Sequence, residues 1–162
     1  MYSAHLIVSL QTENRTMRKA MRFTLLLVLT LLACTSHYYP TQLVVADSLC
    51  AVNPDSALRI LKLMEDTMSS AGKADRMYYE LLKADAMNKA YVDMTTDSIL
   101  KEVADYYDRH GSANEQMRAH YLLGCAYRDM GEAPMALQCY QDAVDKADTT
   151  NHEHLRILLN VY

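Results

Sequence analysis

The chain has 162 residues, enough for one domain with a buried core, and 51% of them are hydrophobic. Only 4 glycines and 3 prolines occur, a balance that disfavours disorder and a turn-rich β-sandwich. The formal net charge of −4 becomes −7 from Cys34 onward, where 12 basic and 19 acidic residues remain. An acidic domain repels nucleic acid and anionic lipid headgroups, so we expect no nucleic-acid partner. Association with a membrane would need a separate anchoring segment.

A basic stretch and a short apolar run come first. Residues 17–22 contain Arg18, Lys19 and Arg22, and an apolar run follows over residues 23–33. Such a run rises about 16 Å as a helix, roughly half the hydrocarbon thickness, so it is too short to span a bilayer. It has the length of a secretory hydrophobic region, and we predict a signal peptide over residues 1–33. Residues 1–16 add nothing to this pattern, which leaves Met17 or Met21 as an alternative initiator.

The apolar run ends in Leu31-Leu32-Ala33-Cys34, which resembles the lipobox of bacterial lipoproteins. In that family the cysteine receives a diacylglycerol group and becomes the first residue after cleavage. The resemblance implies that Cys34 is the lipidation site and that residues 34–42 form a lipid-anchored tether. Because no acidic cluster follows Cys34, the pattern favours a cell-envelope protein anchored in the outer membrane and facing the periplasm. The alternative is a buried core helix that contains a cysteine.

From Leu43 onward, apolar residues recur at helical spacing and predict an all-α fold. Helix starts are indicated by Asn53-Pro54 and by capping-box patterns at Ser112–Glu115 and Thr150–Glu153. Three glycines follow helical runs, where a left-handed C-cap would use them: Gly72, Gly111 and Gly131. The predicted helices cover residues 42–52, 54–69, 74–91, 97–110, 113–130, 133–147 and 151 to the end.

Residues 117–150 carry the clearest repeat pattern. Leu123-Gly124-x-x-Tyr127 stands in the first helix, Gly131 stands in the turn, and the second helix contributes Ala136, Tyr140 and Ala143. These residues resemble a tetratricopeptide repeat (TPR), although His120 replaces the usual Trp and Asp148 the usual Pro. The small residues Gly124 and Ala136 would let the two helices approach closely. Tyr127 and Tyr140 would then fill the wedge between neighbouring hairpins.

The same second-helix spacing recurs upstream. It is found at Leu100, Ala104 and Tyr107, and again at Ala57, Leu61 and Met64. We therefore predict a TPR-like α-solenoid of antiparallel helical hairpins over residues 43–162, with a last repeat that begins at Leu158-x-x-x-Tyr162 and is incomplete. The layout resembles a group of bacterial TPR lipoproteins, some longer members of which carry signalling parts. We expect this chain to be an N-terminal fragment of such a longer member.

The TPR resemblance also places a partner-binding groove on the first helix of the clear repeat. The second, fifth, ninth, twelfth and thirteenth repeat positions are Arg118, Tyr121, Cys125, Arg128 and Asp129. Arginine and exposed tyrosine are enriched at interface hot spots, while the alternative is an ordinary solvated face. The Lys and Asn of a chaperone-binding carboxylate clamp are absent at the fifth and ninth positions.

Catalytic and metal-binding patterns are absent from the sequence. Cys50, Cys125 and Cys139 match no zinc or redox spacing, and we interpret them as small buried or semi-exposed thiols, with a Cys125–Cys139 disulfide as the alternative. His152 and His154 lie two residues apart, so they would point in different directions on a helix. No phosphate loop or hydrolase motif occurs. We therefore expect no enzyme activity, cofactor or metal site.

Together these patterns predict a non-enzymatic protein–protein interaction module, a scaffold or sensing region, tethered through a lipid anchor. Its ligand is an unknown protein or peptide. The alternative is a glycan-uptake or outer-membrane-assembly lipoprotein with a helical-repeat body.

Overall fold

A computed structural model describes residues 38–148 and residue 150. The described part is all-α, as predicted, and contains no strand. Its helices are α1 (Thr41–Cys50), α2 (Pro54–Ser69), α3 (Lys73–Lys89), α4 (Ser98–His110), α5 (Ala113–Asp129) and α6 (Ala133–Lys146). These bounds agree with the predicted ones to within two residues. The signal peptide, Cys34 and the predicted seventh helix lie outside the described residues.

Two helices begin at the side-chain caps that the sequence predicts. The Asn53 side chain accepts a hydrogen bond from the Ser56 backbone N–H at 3.0 Å, and Pro54 follows it in the first turn. At the start of α5, Ser112 and Glu115 form a complete capping box, in which the Ser112 N–H donates to Glu115 Oε2 at 2.8 Å. The box predicted at Thr150–Glu153 extends beyond the described residues.

The three glycines after helical runs have different conformations. Gly131, with φ +79°, is left-handed as predicted. The prediction is wrong for Gly72, which precedes α3 at φ −58°, and for Gly111, which is extended at φ −91°. Gly111 is needed for close packing instead, because an added Cβ would lie 2.7 Å from Tyr107 Cδ1. The left-handed residue after α3 is Tyr91, with φ 57°.

The six helices pack as a row of three hairpins, α1–α2, α3–α4 and α5–α6. Short connections make the two helices of each pair antiparallel neighbours. The second helix of a pair also contacts the first helix of the next pair, and α1, α3 and α5 contact one another in series. These three first helices therefore form one continuous layer, and the core lies between it and α2, α4 and α6. No helix in the described part combines the length and apolarity needed to cross a bilayer.

The contact between α5 and α6 is close at Gly124. A Cβ added there would lie 2.5 Å from Tyr140 Cε1 and 3.2 Å from the Ala136 carbonyl oxygen. The expected close approach of the two helices is therefore present. Tyr140 packs inside its own hairpin, whereas the buried Tyr127 ring lies 5.5 Å from Lys101 Nζ on α4. Tyr127 thus reaches the neighbouring hairpin, as the sequence predicts. The hairpin predicted to follow α6, against which Tyr140 would pack, lies outside the described residues.

Candidate functional site

All five residues of the predicted groove lie on α5, but they differ in access to solvent. The Arg118 side chain is only 13% exposed. Its Nη2 lies 2.9 Å from Asp47 Oδ1 on α1 and 3.0 Å from Asp85 Oδ2 on α3. The structure corrects the expectation for Arg118, because its guanidinium joins the three first helices instead of lining open surface. We call Asp47, Asp85 and Arg118 the Arg118 network.

Neighbouring groups complete the hydrogen bonds of this network. Tyr78 Oη donates to Asp47 Oδ2 at 3.0 Å, and Lys89 Nζ donates to Asp85 Oδ2 at 2.9 Å. Burial, and the nearby Asp47 carboxylate, raise the pKa of Tyr78, so its hydroxyl stays protonated as a donor. Both carboxylates are therefore paired. The Arg118 network is a structural connection between hairpins.

The second correction concerns Cys125, which is fully buried and offers no surface to a partner. Its Sγ accepts from Tyr140 Oη at 3.7 Å. Burial raises the pKa of Cys125, and it raises the pKa of Cys50 to about 12 and that of Cys139 to about 11. Such thiols remain protonated near neutral pH and are poor nucleophiles. All three are free and buried, as interpreted, and the alternative disulfide is not formed.

The other three predicted residues line a cleft. Tyr121, Arg128 and Asp129 form one side of a cleft of about 440 Å³, and the end of α3 with its following loop forms the other side. Tyr121 is half-buried instead of exposed, with its ring 5.8 Å from that of Tyr140. Burial raises the pKa of Tyr121 to about 12, so its hydroxyl is neutral. The α3 side is contributed by Asn88, Lys89, Tyr91, Val92 and Asp93.

Arg128 and Asp129 hold the two sides of the cleft together. Arg128 Nε and Nη2 donate to Asp129 Oδ1 at 2.9 and 2.7 Å, and Nη2 also donates to Asn88 Oδ1 at 3.2 Å. Asp129 Oδ2 accepts from the Met94 backbone N–H at 3.0 Å, which fixes the α3–α4 loop. Arg128 remains 52% exposed. The cleft is thus a preformed surface whose charged groups are positioned by contacts within the chain.

Tyr91 is the cleft residue that sequence reasoning missed. It is 95% exposed and stands in the left-handed position that Gly131 occupies after α5. The two helix ends close in the same way, since Val92 N–H donates to the Met87 carbonyl and Glu132 N–H to the Tyr127 carbonyl. A left-handed L-residue costs about 1–2 kcal/mol relative to the right-handed form. An alignment of α3 with α5 would have revealed tyrosine in the place of glycine.

The chain was compared with protein families, curated proteins and solved structures. No family model, curated protein or solved structure matches the chain. Among the residues described, no group of three or more His, Cys, Asp or Glu side chains could hold a metal ion. The cleft combines a preformed shape with two tyrosines, of which Tyr91 is exposed and has a strained, left-handed backbone. Strained positions of this kind cluster at functional sites.

Proposed function

We propose that the chain is a non-enzymatic protein-interaction module of the TPR type, carried on the bacterial outer membrane by a lipid on Cys34 and facing the periplasm. The observation that carries the proposal is the cleft between α3 and α5, with exposed Tyr91 at its rim. A TPR-like solenoid is supported by the continuous layer of α1, α3 and α5 and by the tight contact at Gly124. The anchor is supported by the lipobox pattern that ends at Cys34.

The chemistry of the cleft suits a polypeptide ligand. Tyrosine offers a large, rigid and amphipathic contact area at a low cost in side-chain entropy, and Tyr91 and Tyr121 both line the cleft. Asn88 and Asp93 add polar groups that can pair with a peptide backbone. The volume lies within the range of about 300–1,000 Å³ typical of ligand pockets, so a short peptide segment fits.

Site-specific photocrosslinking in living cells tests the interaction role. Tyr91 is replaced by benzoylphenylalanine in the full chain. The variant is expressed in bacteria with its N-terminal export signal, and the living cells are irradiated. We expect one discrete protein adduct, identified by mass spectrometry, whose yield falls when the unmodified chain is co-expressed in excess. The matched control is the same replacement at Leu137, which is exposed on α6 outside the cleft. Equal adducts at both positions, or none at Tyr91, would contradict a binding role for the cleft.

The anchor is tested separately. Metabolic labelling with an alkyne-tagged fatty acid is expected to modify the wild-type chain and to leave Cys34→Ser unlabelled. Incorporation of the fatty acid into Cys34→Ser at the wild-type level would remove the lipid anchor from the proposal. The cleft would be unaffected by that result, because its residues all belong to α3, α5 and the loop after α3.

A further inference from the structure

The first hairpin carries a groove whose described lining residues are uncharged. It has a volume of about 580 Å³, and no residue of α3 lines it. Helix α1 contributes Thr41, Gln42 and Val45, and α2 contributes Ile60, Leu63 and Thr67. Among the residues that the structure describes, no acidic or basic side chain lines the groove, although 22% of the chain is charged. We call this surface the first-hairpin groove.

Large apolar side chains of the first-hairpin groove face solvent. Leu63 is 86% exposed, Val45 is exposed as well, and Val44 beside it adds further apolar area. The end of a helical repeat array normally has a polar outer face, because apolar surface there promotes association. The first hairpin departs from that rule. Its exposed apolar groove is typical of a surface that is covered by lipid or by another molecule.

The position of the groove along the chain indicates what covers it. Thr41 begins α1 and lines the groove, so the chain enters the fold at the groove itself. A fully extended chain from Cys34 to Thr41, at no more than about 3.6 Å per residue, reaches at most about 25 Å. Helix α2 is itself about 24 Å long at 1.5 Å per residue. A lipid on Cys34 would therefore hold the first hairpin within about one helix length of the bilayer.

We infer that the first-hairpin groove rests on the outer-membrane leaflet to which the chain is anchored, with Val45, Ile60 and Leu63 in contact with lipid. This inference rests on the proposed lipid anchor. Because the chain carries a net charge of −7 from Cys34 onward, anionic headgroups repel the body, and the contact with lipid is apolar. An uncharged lining suits that contact, since no charge loses its water when the groove meets lipid. The contact orients the α1, α3 and α5 layer relative to the membrane.

Fluorescence quenching by lipid measures the contact directly. The full chain with the substitution Thr67→Cys is expressed in bacteria, purified from the cell envelope and labelled at position 67 with the fluorophore NBD. It is then reconstituted into phosphatidylethanolamine–phosphatidylglycerol vesicles that contain nitroxide-labelled acyl chains. Thr67 is exposed and lines the groove, while the described native thiols are buried. We expect several-fold stronger quenching and a bluer emission than for NBD at Gln138→Cys, exposed on α6. Equal quenching at the two positions would overturn the inference.

Two further variants separate lipid contact at the groove from self-association and from a general effect of added charge. Leu63→Asp, added to the Thr67→Cys chain, is expected to remove the excess quenching without unfolding the protein, since Leu63 lies in solvent. Leu137→Asp, on an exposed leucine of α6, is expected to leave it unchanged. Energy transfer between labelled copies in place of lipid quenching would identify a second copy as the occupant and overturn the inference.

The same samples distinguish failure of the anchor from failure of the groove. If fatty-acid labelling shows that Cys34 is unmodified, Cys34→Ser is added so that no NBD attaches at residue 34, and the chain is mixed with vesicles without an anchor. If NBD at position 67 is then still quenched, and Leu63→Asp abolishes the quenching, the groove is upheld as a lipid-contacting surface and the anchor is rejected. A lipidated chain with no excess quenching at position 67 would uphold the anchor and reject the groove.

Discussion

Gly124 has no room for a side chain at the contact between α5 and α6. Its absent Cβ would lie 2.5 Å from the Tyr140 ring, which is held in place by its hydroxyl contact to buried Cys125. Leucine at this position would force the two helices apart. We expect Gly124→Leu to lower the free energy of unfolding by about 1–3 kcal/mol or more. Urea titration followed by far-UV circular dichroism measures the change.

Gly72 is the matched control, because nothing lies within 4 Å of an added Cβ there and its φ of −58° suits any residue. Gly72→Ala should be neutral or stabilising by less than about 1 kcal/mol, since alanine restricts the unfolded chain. Equal destabilisation by Gly72→Ala and Gly124→Leu would contradict the packing of α5 on α6.

Residues with partners close in sequence were predictable, and those with distant partners were not. Asn53 and Ser112 cap their helices by bonding three residues ahead, so the local pattern was sufficient. Arg118 pairs with carboxylates 71 and 33 residues away, and the sequence placed it on a helix face without naming its partners. The sequence therefore predicts a binding-groove residue at Arg118, where the structure has an ion pair between hairpins.

At the scale of the helices, the ends of α3 and α5 offer a direct comparison. Both close with the same backbone hydrogen bonds, yet one uses Tyr91 and the other Gly131 in the left-handed position. Helix ends were predicted from glycine, which is why the end of α5 was predicted correctly and the left-handed residue after α3 was missed. Tyrosine there is a departure from local preference, and departures of this kind are expected at functional sites.

Tyr91→Gly should stabilise the protein, by roughly 0.5–1 kcal/mol, because the left-handed penalty exceeds the extra entropy that glycine loses on folding. The exposed ring offers little packing to lose. Gly131→Ala should have the opposite sign and cost about 1 kcal/mol, since it places a Cβ at φ +79°. Midpoints of urea unfolding measure both changes.

The same variant links stability to function. If Tyr91 is retained for binding, Tyr91→Gly should abolish competition in the crosslinking experiment while raising stability. Loss of stability in Tyr91→Gly would show that the ring contributes to packing, and the strain argument for the cleft would fail. A more stable variant that still competes fully would remove Tyr91 from the binding surface.

At the scale of the whole described part, connections between hairpins position the cleft. The Arg118 network joins α1, α3 and α5, while Asp129 holds the α3–α4 loop through Met94, 35 residues away. The repeat pattern predicted which helices pair, because amphipathic faces and short loops are local properties. It could not predict the cleft, whose shape depends on an irregular loop, residues 90–97, and on charges supplied by neighbouring hairpins.

Arg118→Met tests whether the Arg118 network holds the hairpins together. The methionine fills similar space, but Asp47 and Asp85 would face one another without the guanidinium between them. Removing one partner of a buried ion pair costs about 3–5 kcal/mol, and the remaining Lys89–Asp85 bond places this change near the lower end. Urea unfolding should show that loss of stability. Arg128→Met should cost less, about 1–2 kcal/mol, because Arg128 is 52% exposed and the buried Asp129 carboxylate keeps its hydrogen bond from the Met94 backbone N–H.

Asp47→Asn and Asp85→Asn, combined with Arg118→Met, should recover part of the lost stability, because the two carboxylates no longer repel one another in a partly buried site. A purely steric role for Arg118 predicts no recovery, since the asparagines have nearly the same shape as the aspartates. The recovery therefore separates charge from packing. If Arg118→Met costs no more than Arg128→Met, the ion pairs do not stabilise the hairpin row, and α1, α3 and α5 are held by their apolar contacts alone.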